Sequence, residues 1–256
     1  NIGLIRSDLV ALIDELGKRV FEEMDYLNEA ENAEKFKKFH MHNPKIAVPK
    51  IYKETTSRRV LTMEWIDGTK LTNLEGVKKL GIDPDEMIEI GVQCSLEQLL
   101  EHGFFHADPH PGNLLALEDG RLCYLDFGMM SEVTRSSRSG LIQAVVHLVN
   151  KNFDKLSQDF VKLGFLSEEV NLEPIVPAFQ DVFVNAVELG VSKMDFKSVT
   201  DDMSGVMYKF PFKLPPYYAL IIRSLLTLEG IALSVDPDFK ILGAAYPYFA
   251  RRLMED

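Results

Sequence analysis

Apolar residues recur at steps of three and four over residues 8–40: Leu9, Leu12, Ile13, Leu16, Val20, Met24, Leu27, Phe36 and Phe39. That period predicts one long helix with Ser7 as its N-cap and Gly17 as a weak point. Residues 47–52 and 59–66 read instead as two strands, joined by a turn at Thr55-Thr56-Ser57-Arg58. Pro49 makes the first an edge or irregular strand, because proline cannot donate to a ladder. Asp83-Pro84-Asp85-Glu86 combines a cap, a proline at the first helical position and an acid three residues on. The helix it opens runs to about residue 102 and stops at Gly103, with Ile88, Val92, Leu96, Leu99 and Leu100 on its core face. Two short apolar runs follow, Leu114-Leu115-Ala116-Leu117 and Leu122-Cys123-Tyr124-Leu125. Glu118-Asp119-Gly120-Arg121 lies between them, and Asp-Gly there predicts a hairpin. Beyond this the chain reads as helices over 134–150, 153–163, 172–189, 199–207, 216–234 and 239–254. Residues 217–233 are apolar nearly all round and so are expected to be buried. Arg223 and Glu229 interrupt that run and need partners. The predicted class is α+β, with a small strand-containing part at residues 1–66 and a large helical part at 67–256.

Composition narrows the possible partners. The chain has 256 residues, 46% hydrophobic and 26% charged, enough for a sizeable core. A net charge of -11 argues against nucleic-acid binding and against adhesion to anionic lipid by charge alone. Cys94 and Cys123 sit in apolar segments and read as small core residues. No run of about eighteen uncharged apolar residues is present, so no transmembrane segment is predicted. The chain begins at Asn1 without a signal or transit peptide, which predicts a fragment of a longer polypeptide.

The chemistry lies in Phe105-His106-Ala107-Asp108-Pro109-His110-Pro111-Gly112-Asn113 and in Leu125-Asp126-Phe127-Gly128. Asp108, Asn113 five residues later and Asp126 thirteen beyond that form a phosphoryl-transfer set. In it, the first aspartate takes or orients the acceptor's proton, while the asparagine and second aspartate ligate Mg²⁺ against nucleotide phosphates. A hard octahedral cation needs such oxygen ligands, held on rigid adjacent segments. The predicted hairpin would bring Asn113 and Asp126 to the same end. Taken singly, each of the three reads as a turn residue.

His-Ala-Asp-Pro-His-Pro-Gly-Asn at 106–113 followed by Leu-Asp-Phe-Gly at 125–128 resembles the signature of the UbiB-type atypical kinases, protein-kinase-like ATP-binding proteins linked to coenzyme Q and other prenyl quinones. Ordinary protein kinases carry Arg where this chain has Ala107. The resemblance implies a protein-kinase-like fold, ATP or ADP with Mg²⁺ as cofactors, and Asp108 as catalytic residue. Met63-Glu64-Trp65-Ile66-Asp67-Gly68 then resembles the hinge between lobes. The backbone at Glu64 to Ile66 would hydrogen-bond adenine, and Trp65 alternatively is plain core. Glu23-Met24-Asp25 resembles the family's Glu-x-Asp motif, with Glu23 and Asp25 pairing lysines of the nucleotide site, or else forming a solvated face.

His106 matches the position that braces the catalytic loop. His110 either contacts phosphate or substrate or braces its proline-rich turn. Arg223 either braces the catalytic loop or forms a salt bridge inside the helical part. No Ala-Pro-Glu follows Gly128, so a protein-substrate platform is not indicated.

The stretches 210–218 and 246–252 most resemble plastid and cyanobacterial members. They read either as packing or as a groove for a prenyl lipid. The implied location is the chloroplast (plastoglobule or thylakoid) or a cyanobacterial membrane surface. A complete member also carries an Ala-rich loop, a strand lysine and a Lys-x-Gly-Gln extension, which do not occur from Asn1 onward. Two other readings fit the motif: a small-molecule kinase of the aminoglycoside or choline type, and a nucleotide- or lipid-binding pseudokinase scaffold.

Overall fold

A computed structural model describes Gly17 and residues 24–188, 196–241 and 243–244. The chain divides into two compact units. One runs to Glu132 and takes back Arg223–Phe239, and the other holds Val133–Ile222.

In the first unit, helix α1 spans Tyr26–Phe39. The helix expected over 8–40 is therefore interrupted: Met24 is a turn residue, Asp25 is extended, and its carboxylate accepts from Leu27 N at 3.2 Å. Apolar spacing continues through this point, but an aspartate that caps a backbone N–H competes with helix continuation. The part of that expectation over 8–23, except Gly17, lies outside the described residues. Ala30, Ala33 and Phe36 form the buried face of α1, while Leu27 is exposed. The Phe36 ring lies 5.0 Å from Tyr124 and 5.2 Å from Phe127, which places α1 against the segment that carries Asp126.

The strands expected at 47–52 and 59–66 are not regular. Ile46–Ala47 forms β1, and beyond it the two segments meet only at the bridges Ile51↔Met63 and Ser57↔Val60. A 3-10 turn at Lys53–Thr55 separates them, and the reversal falls at Arg58 and Arg59, later than predicted. Proline lacks a donor at 49, and the threonines satisfy carbonyls locally. Thr56 Oγ1 donates to Tyr52 O and Thr62 Oγ1 to Thr55 O, each at 2.9 Å.

The predicted hairpin is present. β4 (Leu114–Ala116) and β5 (Leu122–Tyr124) pair antiparallel, Leu114 opposite Tyr124, and Gly120 turns at φ +80. β1 joins β5 in parallel and β2 (Thr69–Lys70) joins β4 antiparallel, giving the sheet order β1-β5-β4-β2. Behind α2 (Leu74–Lys79) comes α3 (Pro84–Glu97), capped by Asp83, whose carboxylate accepts from Asp85 N at 3.0 Å. A wider π turn, Gln98–His102, extends α3 and ends at Gly103 with φ +68. Gly103→Ala should cost about 1–2 kcal/mol, because a Cβ is disfavoured in left-handed backbone. A shifted urea midpoint at unchanged m-value would measure it. β3 (Phe104–His106) follows directly and pairs antiparallel with β6 (Met130–Glu132).

In the second unit, α4 (Arg135–Val149) is capped by Thr134, and α5 (Phe153–Lys162) by Asn152. The buried Asp159 pairs with His147. α6 (Ile175–Glu188) and α7 (Phe196–Lys209) follow, and α8 (Pro216–Leu233) starts in this unit and from Arg223 onward belongs to the first. Phe212 and Tyr218, from the aromatic-proline stretch, are buried; Phe212 lies 5.9 Å from Phe179, and Tyr218 lies 4.5 Å from Phe165. These two rings are packing. The stretch 246–252 and most of the helix expected at 239–254 lie outside the described residues. Among the described residues no helix is long and apolar enough to cross a membrane.

Candidate active site

The loop after β3 is pinned from several sides of the first unit. His106 N donates to Gln98 Oε1 at 2.9 Å, Ala107 N to Met129 O at 2.9 Å, and Ser224 Oγ to His106 O at 3.0 Å. The buried His106 ring bridges the two halves of the motif. Its Nδ1 accepts from Asp108 N at 3.1 Å, so Nε2 carries the proton and donates to Asp126 O at 3.0 Å. Burial holds the imidazole below its ordinary pKa, against the opposing pull of Asp126 and Asp108. That keeps the neutral tautomer these two bonds require. His106 is thus a brace, as its position implied. His110 Nδ1 accepts from Gly112 N at 3.0 Å and caps the 3-10 turn Pro111–Asn113.

The hairpin closes the other half. Leu125 N donates to Asn113 O at 3.0 Å, so Asn113 and Asp126 stand together at the open end of β4 and β5. Asn113 Nδ2 donates to Asp126 Oδ2 at 2.7 Å, and Gly128 N donates to Asp126 Oδ1 at 2.9 Å. Asp108 Oδ2 accepts from Arg223 Nη2 at 2.7 Å.

A cavity of about 1190 Å³ opens beside Asp126. Glu29, Arg58 and Arg59 supply its charged wall, and Leu61 and Met63 its apolar one. It is large enough for a nucleotide.

Residues 3–160 match the ABC1 atypical kinase-like domain, and residues 180–240 match the UbiB helical domain. The chain belongs to the ABC1 atypical kinase-like family. It is 61% identical over 256 residues to an uncharacterized protein of Synechocystis sp., sll0005, covering 100% of this chain and 38% of that one. It is 50% identical over 255 residues to the chloroplastic Protein ACTIVITY OF BC1 COMPLEX KINASE 3 of Arabidopsis thaliana, covering 100% of this chain and 36% of that one. The chain thus spans less than half the length of these relatives. A solved structure titled as the complex of Rv3197 with erythromycin, from Mycobacterium tuberculosis, shares the fold. Its TM-score is 0.65 at 22% identity, over 93% of this chain and 61% of that one.

In this ABC1 kinase-like domain, the anticipated hinge is only partly at the cavity. Met63 lines it. Glu64 N donates to Lys50 O at 2.8 Å, and Ile66 packs on the cluster of Ala47, Leu115, Leu117 and Cys123. Trp65 is 86% exposed, so the alternative reading of it as core is corrected; its Nε1 donates to Asp67 Oδ1 at 3.0 Å. An exposed turn places its indole in solvent, which composition does not reveal. Asp25 caps α1 and pairs with Arg58 Nε at 3.0 Å, while Glu23 lies outside the described residues.

Sequence reasoning missed Glu29 and Asn32. Phe127 N donates to Glu29 Oε1 at 3.2 Å, and Asn32 Nδ2 donates to Phe127 O at 2.9 Å. Together they clasp both backbone polar groups of the residue after Asp126. Their three-residue spacing on the buried face of α1 was the available signal. Acids in a helix of this composition ordinarily read as solvated.

Proposed function

We propose that this ABC1 kinase-like domain binds Mg-ATP in the cavity running from Met63 to Asp126. There it transfers the γ-phosphoryl group to an acceptor or to water, in support of prenyl-quinone metabolism. The observation that carries this reading is the meeting of Asn113 and Asp126, 2.7 Å apart, at the edge of a nucleotide-sized cavity.

The donor set fits Mg²⁺. With Asn113 Nδ2 turned to Asp126, the pair would offer the Asn113 amide oxygen and the Asp126 carboxylate, both hard ligands. When bound, the ion neutralises charge on the phosphates and fixes them in line.

The chain's own residues do the rest. Asp108 orients the acceptor hydroxyl. As the new oxygen–phosphorus bond forms and the bond to the ADP leaving oxygen breaks, the acceptor's proton passes to Asp108. His106, Glu29 and Asn32 hold the backbone from which Asp126 projects. Leu61 and Met63 would flank adenine. With the Glu64 N–H bonded to Lys50 O, the hinge partners of the base would be the Glu64 carbonyl and the Ile66 N–H. The side chain of the exposed Trp65 takes no part.

Asp25, held by Arg58, and Glu23 remain the residues matched to the family's Glu-x-Asp motif, on the small-lobe side of a division near residues 66 and 67. The quinone role and a site at plastoglobules or thylakoids rest on family resemblance, while the chloroplastic and cyanobacterial relatives support a plastid or cyanobacterial location. Packing of Phe212 and Tyr218 counts against a lipid groove at those residues.

Calorimetric titration of the purified full-length protein tests the reading. ATP should bind roughly tenfold more tightly with Mg²⁺ than with EDTA, and Asn113→Ala should shrink that margin to about twofold or less. Equal ATP affinity with and without Mg²⁺ in the unsubstituted protein would overturn it.

A further inference from the structure

Two consecutive residues of α8, far along the chain from the catalytic loop, grip it at two points. Arg223 Nη2 donates to Asp108 Oδ2 at 2.7 Å across 115 residues of sequence. Ser224 Oγ donates to His106 O at 3.0 Å across 118. These residues fall within the stretch matched by the UbiB helical domain, while Asp108 falls within the ABC1 domain.

The ion pair is half exposed, with side-chain exposures of 48% for Arg223 and 35% for Asp108. Such a pair adds little to stability, so fold maintenance gives no reason for an arginine at this place. Its geometry matters more. The Asp108 backbone is already pinned, its N–H to His106 Nδ1 at 3.1 Å and its carbonyl to His110 N at 2.7 Å. What stays adjustable is the rotation of the side chain. A charge-assisted bond to one carboxylate oxygen removes that freedom.

We propose that Arg223 is a positioning residue for Asp108. By holding Oδ2 it turns Oδ1 toward the acceptor, and Ser224 fixes the loop so that the two stay in register. The helical domain thereby becomes part of the phosphoryl-transfer site and not merely its support. This inference rests on the phosphoryl-transfer reading above.

A double-mutant cycle tests it, with phosphate release from Mg-ATP by the purified full-length protein as the readout. Arg223→Ala should lower kcat roughly 10- to 100-fold with the KM for ATP changed less than about twofold, since misaimed groups cost turnover and not nucleotide binding. Arg223→Lys should recover part of the loss, because an ammonium keeps the charge without the planar fork. In an Asp108→Asn background the same Arg223→Ala change should cost less than about twofold, because the partner it aims is already disabled.

An additive loss in that background, or a KM for ATP that rises in step with the loss of kcat, would overturn the inference, since either marks a structural or binding role. If Asp108→Asn itself turns over ATP at the unsubstituted rate, the phosphoryl-transfer reading fails first, and this inference with it. If Asp108→Asn is inactive while Arg223→Ala retains full kcat, only this inference fails. Should Arg223→Ala not fold, Arg223→Gln, which keeps most of the stem, carries the same comparison.

Discussion

Asp126→Asn should lower ATP turnover by the full-length protein by roughly 10³-fold or more, because it removes the formal charge of the proposed metal-binding pair, Asn113 being neutral. The substitution is nearly isosteric, so shape is preserved. An amide oxygen can still accept from Gly128 N, which now donates to Asp126 Oδ1 at 2.9 Å. The other side is not preserved. Asn113 Nδ2 donates to Asp126 Oδ2 at 2.7 Å, and a second amide there would oppose donor to donor unless one of them flips. A flip of Asn113 would turn its oxygen to the new amide and away from the ion. One substitution thus disables both proposed metal ligands. Phosphate release from Mg-ATP measures the effect, with thermal unfolding of the same preparation as control. Turnover within tenfold of the unsubstituted protein would remove Asp126 from the chemistry.

His106→Ala should cost about 2–4 kcal/mol of stability and roughly 10²-fold in turnover, since it orphans Asp108 N and Asp126 O at once. Those two backbone groups belong to the proposed base and the proposed metal ligand, so the same deletion loosens both. A pH dependence follows from the same residue. Burial holds the folded-state pKa of His106 below the ordinary 6.5, and that of His40 as well. The unfolded chain therefore takes up these protons first as pH falls. The stability that depends on neutral imidazole is fully present above about pH 6.5 and is lost progressively below it, toward the folded-state values. Each histidine contributes a slope of at most about 1.4 kcal/mol per pH unit in that window. Urea denaturation between pH 7.5 and 5 should show it, and His106→Asn should remove its share while leaving that of His40. A stability that rises on acidification through this window would contradict the neutral brace.

The hairpin and the meeting of Asn113 with Asp126 were legible because the signals are local. Asp119-Gly120 between two apolar runs specifies a reversal whatever surrounds it, and the register that follows brings Asn113 beside Asp126. The cap at Asp83 and the stop at Gly103 were legible for the same reason. Residues 47–66 were misread because β-formers and threonines satisfy a strand pattern, while their side chains here bond local carbonyls and leave isolated bridges. The predicted long helix failed at Asp25, where apolar spacing is blind to a cap.

What the chain's own order determines is a set of side chains, Asp108, Asn113 and Asp126, with their spacing and the turn that makes the last two neighbours. Tertiary structure decides what aims them. Glu29 and Asn32 reach Phe127 across 98 and 95 residues, and Arg223 reaches Asp108 across 115. Spacing along a helix or strand carries information over one or two turns only. A partner a hundred residues away is chosen by how whole elements pack, because burying the face that carries Phe36 is what brings Glu29 and Asn32 to Phe127.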